Sequence, residues 1–303
     1  MVESLGRHIQ SDDRPPLITV AMPVYNAGRF LRPAVMSIVK QSFADWELLI
    51  IDDGSSDGSL EAIQDVEDAR IRVIRDGSNK GLAARLNEAI DLARGRYFAR
   101  MDQDDISYPE RFARQVAELD KDSNLDLVGV RSIAISQDDQ IVGYFPYALN
   151  HRQLCAKPWR GFYIVHPSWM GRTEWFRRHH YATPGPYLCE DQELLLRSFA
   201  TSRFALIEDI LFAYRVRNTI VWRKLVKTRW SVLKVQMRHF VRANQWGYGL
   251  LAIVAFSARV AMDCLDMVMQ TGRGSPRARY RKVVDSEVVA KWRAVSESVD
   301  GIF

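Results

Sequence analysis

The sequence predicts an α/β fold with a mostly parallel sheet, followed by a helical extension. Three observations carry this. Four apolar strand-type runs alternate with helical segments between residues 17 and 101. The chain of 303 residues is 47% hydrophobic and 26% charged, a globular balance that excludes wholesale disorder and fibrous repeats. Beyond about residue 220 the alternation stops and long helical patterns replace it.

Taken in order, residues 17–24 (LITVAMPV) form a strand that closes at Pro23. Residues 28–41 place Leu31, Val35, Ile38 and Val39 at helical spacing. WELLIID then reads as a buried strand running into an Asp-Gly-Ser turn. A helix over 59–66, a strand over 71–76, a strong helix over 81–95 and a strand over 97–101 follow. Right-handed crossovers between parallel strands put ligands at the carboxyl ends of those strands. A helix over 108–120 has Pro109 near its start, and 125–130 is a further strand. Residues 131–187 are less regular and rich in aromatics and His; a helix starts near Glu190, and 203–216 reads as two strands.

The charge is uneven. Residues 210–284 hold 15 Lys/Arg against Asp263 and Asp266, a local +13, while the rest of the chain carries −8. A basic third on an acidic body suggests an anionic partner, either a membrane surface or nucleic acid. No zinc-finger, RNP-like or helix-turn-helix signature supports nucleic acid. Residues 243–258 are uncharged, but a run of 16 falls below the roughly 18–20 that span a bilayer. Cys155, Cys189 and Cys264 have no CxxC spacing, which argues against a disulfide framework and fits a reducing compartment. The polar start shows no secretory signal. The expected organisation is a polar tail (1–16), a catalytic domain (17–219) and a basic amphipathic helical region (220–303) that associates with a membrane.

Three acidic turns stand out. Asp52-Asp53-Gly54-Ser55-Ser56-Asp57 follows a strand, as does Asp102-Gln103-Asp104-Asp105. Either is an ordinary turn or cap on its own. Three carboxylates in four residues also suit a hard divalent cation whose shell a diphosphate completes. Glu190-Asp191 heads a helix, where acids suit the dipole or one of them serves as a general base. Asn79-Lys80-Gly81 opens a helix whose amides and cations can face phosphate. Neither GxGxxG nor GxxxxGK[ST] is present, so a Rossmann dinucleotide site and a P-loop are unsupported.

Together with Pro23-Val24-Tyr25-Asn26, the segment 109–129 and His166-Pro167-Ser168, these motifs resemble the family 2 glycosyltransferases, which have the GT-A fold. The resemblance covers roughly residues 17–216. It implies an inverting, nucleotide-sugar-dependent hexosyltransferase with a UDP-sugar as the expected donor. It implies that Pro23, Val24 and Tyr25 line the base pocket, that Asp53 bonds the base, and that Asp102 and Gln103 lie at the ribose or metal. Asp104 would be the main ligand of Mn²⁺ or Mg²⁺, Lys80 and Arg85 would contact diphosphate or base, and Asp191 would be the catalytic base with Glu190 supporting it. The implied partners are the nucleotide-sugar donor, a lipid-linked or polysaccharide acceptor and an anionic membrane surface, without nucleic acid. The implied location is cytoplasmic, peripheral at the inner face of the cell membrane. Arg229-Trp230 lacks the Gln of the processive QxxRW motif and reads as an interfacial pair, which favours transfer of a single sugar. A nucleotidyltransferase of similar topology is the alternative enzyme, and PVYNAG lacks the Gly-rich basic loop that it needs. A non-enzymatic module binding nucleic acid or an anionic surface is the alternative outside enzymes. Arg215 and Arg217 read as solvated charges, and Trp159, Trp169 and Trp175 as candidates for stacking on sugar.

Overall fold

The computed structural model describes residues 14–216, 221–269 and 284–300. Most of the polar tail, Arg217 and the basic segment from Arg273 to Lys282 lie outside the described residues.

The first half alternates as expected. Strand β1 (Ile18–Val24), helix α1 (Leu31–Val39), β2 (Trp46–Asp52), β3 (Ile71–Arg75), α2 (Leu82–Leu92) and β4 (Tyr97–Arg100) follow one another. The expected helix over 59–66 is a short 3-10 turn at Ser59–Ile63. Every residue of β1 and β2 is buried, as a parallel strand covered on both faces requires. Their two polar inward residues satisfy each other, with the Thr19 hydroxyl donating to Glu47 at 2.7 Å. The chain continues through β5 (Ile106–Ser107), α3 (Arg111–Lys121), β6 (Leu127–Ile135), β7 (Ile141–Tyr144), α4 (His151–Leu154), β8 (Met170–Arg172), α5 (Thr173–Arg178), α6 (Glu190–Ser198) and β9 (Phe204–Arg215). The sheet order is β3-β2-β1-β4-β8-β6-β9-β5, with β7 on the edge of β6. Strand β8 is antiparallel to both β4 and β6, so the sheet is mixed around a parallel β3-β2-β1-β4 block. That block brings the carboxyl ends of β1, β2 and β4 together, with Val24 beside Asp52 and Ala21 beside Arg100.

The two strands expected over 203–216 are one. Strand β9 runs parallel to β6, and its register jumps from Ile207 to Ile210. Glu208 and Asp209 bulge into solvent at the jump. A polar pair inside an apolar run looks like a turn in sequence, and here a bulge accommodates it.

After Arg215 come α7 (Trp222–Arg242), α8 (Trp246–Met269) and α9 (Ser286–Asp300). The expectation that the uncharged run is too short to span was drawn from its charges. Helix α8 is longer: Trp246–Leu265 is long and apolar enough to cross a membrane, by length and composition only. Its two interior charges are engaged by protein. Arg259 donates to the Arg160 carbonyl, and Asp263 accepts from Arg229 Nε at 3.2 Å. Arg229 is thus a tether between helices rather than an interfacial residue, while Trp230 stays half exposed. Leu233, Phe240 and Ala252 join the apolar cluster of Trp175, Leu195 and Phe204. Helix α9 docks elsewhere: Trp292, Val295 and Val299 join the cluster of α1 and β1, and Trp292 Nε1 donates to the Asp139 carbonyl at 2.8 Å.

Candidate active site

The first two acidic turns meet at the carboxyl edge of the parallel block, cross-linked through the β1 loop by short polar contacts. The β1 loop bends through Asn26, at φ +50°, and Asn26 Oδ1 accepts from the Ser56 amide at 2.9 Å. The Gly28 amide donates to Asp57 at 2.8 Å. Pro23 and Val24 are buried in β1 and Tyr25 is half exposed. The Tyr25 amide donates to Gln103 Oε1 at 2.6 Å, and Gln103 Nε2 returns a bond to the Tyr25 carbonyl at 3.0 Å. Gln103 therefore staples the first loop to the DQDD turn.

Asp53 faces inward. Its carboxylate accepts from the amides of Lys80 (2.6 Å) and Gly81 (3.0 Å) and from Arg85 Nε (2.9 Å). Arg85 is fully buried. Its Nη groups donate to Asp76, Glu88 and the Ser78 carbonyl, so all five N–H donors are engaged by protein. Arg85 organises the loop and has no donor left for a diphosphate. The Lys80 ammonium pairs with Asp76 at 2.5 Å and is half exposed.

The DQDD turn is clamped from β9. The Arg215 amide donates to Asp105 Oδ1 and its Nε to the Asp104 carbonyl, both at 2.7 Å. Arg215 is buried, which corrects its reading as a solvated charge: its guanidinium pairs with Asp139 at 2.7 Å and donates to the Asp104 and Ser136 carbonyls. Asp105 is buried, and its second oxygen lacks a hydrogen-bond partner among the described residues. Burial, then the charges of Asp104 and Asp102, push its carboxyl well above the usual range.

A cleft of about 580 Å³ opens beside this turn. Arg100, Asp102, His166, Glu190, Asp191 and Tyr214 line it, with Phe145 and Phe162 among the apolar walls. The structure thus joins Asp102 to the Glu190–Asp191 pair. Pro23, Val24, Tyr25, Asp53, Lys80, Arg85, Gln103 and Asp104 do not line this cavity; Asp104 and Gln103 flank it through Asp102, and Lys80 through Leu82. Of the charged groups inside, Arg100 is buried, while Asp102, Glu190 and Asp191 are partly exposed. Arg100 is 2% exposed and pairs with Asp102 at 2.8 Å, while its Nε and Nη1 have no partner among the described residues. Burial, then its neighbour Asp191, pushes Glu190 up to about 7. Burial also raises the Asp191 carboxyl. His166 is held well below its usual value by burial and then by Arg100, so it is neutral at pH 7. Its Nε2 lies 2.7 Å from the Tyr181 hydroxyl, and its Nδ1 3.9 Å from Glu190.

Sequence reasoning missed Arg100 and Tyr214 as cleft residues. The signal for Arg100 was its place at the strand end just before DQDD, a position that in a parallel sheet faces the ligand edge. The segment 109–129 acts from behind: Arg111 donates to the carbonyls of Arg100 (2.9 Å) and Pro167 (3.1 Å), and Gln115 to that of Ser168 (2.8 Å). These bonds hold the His166 turn against β4. Trp169 and Trp175 are buried in the core, and Trp159 stacks on Tyr248 of α8, so none of the three faces the cleft.

The fold and the motifs agree with known proteins. The chain is 32% identical over 140 residues to the Escherichia coli UDP-Glc:alpha-D-GlcNAc-diphosphoundecaprenol beta-1,3-glucosyltransferase WfgD, covering 46% of this chain and 54% of that protein. It spans about half the length of several of the curated relatives that it matches. Among solved structures, Staphylococcus aureus TarS 1-349 in complex with UDP-GlcNAc superposes with a TM-score of 0.64 at 15% identity, covering 94% of this chain and 83% of that one. The mannosyltransferase PcManGT from Pyrobaculum calidifontis, in complex with GDP-Man and Mn²⁺, superposes at 0.53 and 14% identity, covering 95% and 87%. At such identities the likeness shows the GT-A fold. The model of the glycosyl transferase family 2 matches residues 19–179, a stretch holding the first two acidic turns, the Asn79-Lys80-Gly81 loop and the His166 turn. With that match over more than half its length, the chain belongs to glycosyl transferase family 2.

Proposed function

We propose that this chain is an inverting hexosyltransferase that moves a single sugar from a UDP-linked donor to a lipid-linked acceptor in cell-surface glycan synthesis. It works at the cytoplasmic face of a membrane that α7 and α8 approach. One observation carries the reading. A partly buried carboxylate pair, Glu190–Asp191, shares one cleft with Arg100 and with Asp102 of the DQDD turn.

An inverting transfer needs one base and one electrophilic partner for the leaving group, and no enzyme nucleophile. In this reading Asp191 accepts the proton of the acceptor hydroxyl, whose oxygen attacks the anomeric carbon. The bond from that carbon to the diphosphate oxygen breaks, and nucleoside diphosphate leaves. The raised proton affinity of Asp191 suits a base that must take a proton near neutral pH. Glu190 and Asp191 titrate as a pair, so at neutral pH they share a proton more readily than isolated carboxylates do. Arg100, which lines the cleft, balances their charge.

The family implies a divalent cation. Among the described residues no group of three or more His, Cys, Asp or Glu forms a metal cage. The turn instead fits a cation held by one or two carboxylates and completed by phosphate oxygens. Burial, and then the charges of Asp104 and Asp102, lift the Asp105 carboxyl, and a cation at the turn would offset the repulsion among the three. Asp104 would hold Mn²⁺ or Mg²⁺ with help from Asp102. When bound, the cation stabilises charge on the departing diphosphate.

The membrane side of the proposal is supported by α8, where Trp246, Leu250, Val254, Met262 and Leu265 are each at least 58% exposed. Interfacial helices expose such faces, and nearby basic residues add attraction to anionic lipid. The test is a panel of nucleotide sugars with Mn²⁺, scored for nucleoside diphosphate release against a polyprenyl-diphosphate sugar. Release from a UDP-sugar supports the reading, and silence across the panel removes it.

A further inference from the structure

A second cavity, of about 700 Å³, lies on the other side of α6 from the cleft. Glu190, Asp191 and Gln192 of that helix face the cleft, while Glu193, Leu196 and Arg197 face this cavity. The opposite wall is α7, and the segment 182–186 closes one side. Nothing in the proposed chemistry uses it.

Its charge is one-sided. Lys234, Arg238 and Arg242 all line it. They stand four residues apart, so they form one ridge about 12 Å long on α7. Among the described residues no carboxylate pairs with any of the three. Lys234 leans on the Trp230 ring at 5.6 Å, a contact that leaves its charge uncompensated. The one acid in the lining, Glu193, is engaged by Arg197 at 3.0 Å. Burial holds His239 below its usual value, so it contributes no charge at neutral pH. A concave wall with three uncompensated cations is a site for a multiply charged anion.

The surroundings say which anion. Asp191 and Arg197 are six residues apart on α6, about 9 Å along its axis, and face the two different cavities. At its far end the ridge stops at Arg242, and four residues later Trp246, 64% exposed, opens the apolar face of α8. Charge is followed directly by an oily surface, an order that a free phosphate does not need and a lipid phosphate does.

We infer that Lys234, Arg238 and Arg242 form a binding site for the diphosphate head of the membrane-anchored acceptor. This rests on the proposed transfer to a lipid-linked acceptor. The experiment is flotation of the full chain with phosphatidylcholine vesicles that carry either a polyprenyl diphosphate or phosphatidylglycerol at matched surface charge. The parent should prefer the polyprenyl diphosphate vesicles by about tenfold or more. The variant K234Q/R238Q/R242Q should lose that preference. The variant R223Q/K224Q/K227Q removes the same charge from the same helix outside the cavity and should keep it. Equal binding of the parent to both vesicles overturns the inference. Equal loss of the preference in the two triple variants also overturns it, because the attraction is then diffuse. Melting curves check folding, and Arg238→Gln alone carries the test if the triple variant unfolds. Vesicle preference is read apart from turnover: a chain that releases no nucleoside diphosphate yet keeps the preference refutes the transfer reading and not this site.

Discussion

Two buried arginines, Arg85 on α2 and Arg100 at the end of β4, both pair with carboxylates and have opposite accounts. Arg85, on the Asp53 side, engages every one of its donors with Asp53, Asp76, Glu88 and Ser78. Arg100, on the floor of the cleft, holds Asp102 and leaves Nε and Nη1 without partners, with the half-satisfied Asp105 on the same turn. A folded chain rarely buries an unpartnered polar group, because desolvating it costs about 1–3 kcal/mol. The saturated network is scaffold, and the unsaturated one lines the cleft of the proposed reaction.

The sharpest way to break that contrast is through the base. Asp191→Asn should lower turnover about 10²–10⁴-fold while donor affinity, read by calorimetry, stays within a factor of about two. Unchanged turnover would transfer the role to another residue. Next, Arg85→Met should destabilise the fold by about 3–5 kcal/mol in urea unfolding, since it leaves Asp53 buried without its cation. Arg100→Met, which removes two unpartnered donors along with one ion pair, should cost about 1 kcal/mol or less and still abolish most activity. Equal stability losses would erase the distinction between scaffold and site.

The pH dependence of stability sharpens it further. Glu190 binds its proton more tightly in the folded state, at about 7 against a usual 4.5. Its contribution to stability is therefore full below the unfolded value and is lost as pH rises through about 7. Glu190→Gln should remove that loss, gaining about 1–3 kcal/mol on the parent between pH 4 and pH 8. Parallel curves would show that the carboxyl is not buried in solution. The smallest effect is expected at the far end of the molecule. Leu250→Ser with Val254→Ser should change stability by about 0.5 kcal/mol or less, since both side chains are exposed, while reducing vesicle binding.

Much of the scaffold is legible in the sequence, for a physical reason. Strands such as ITVAMPV and WELLIID are buried on both faces, so their identity is written in contiguous residues. The acidic turns follow those strands directly, and parallel topology then sends them to one edge. The bulge at Glu208–Asp209 was misread because a two-residue excursion in a strand and a turn between strands leave the same local pattern.

What the sequence by itself determined is the α/β alternation, the loops that carry Asp53, Asp102 and Asp104, and the helix headed by Glu190 and Asp191. Those features depend on residues close together in the chain. Tertiary structure alone decided that Arg85 is used up and Arg100 is not, that His166 and Tyr214 complete the cleft, and that α8 exposes its apolar face while α9 buries its own against α1 and β1. Each depends on which distant segments meet, and on whether a buried donor finds its acceptor there.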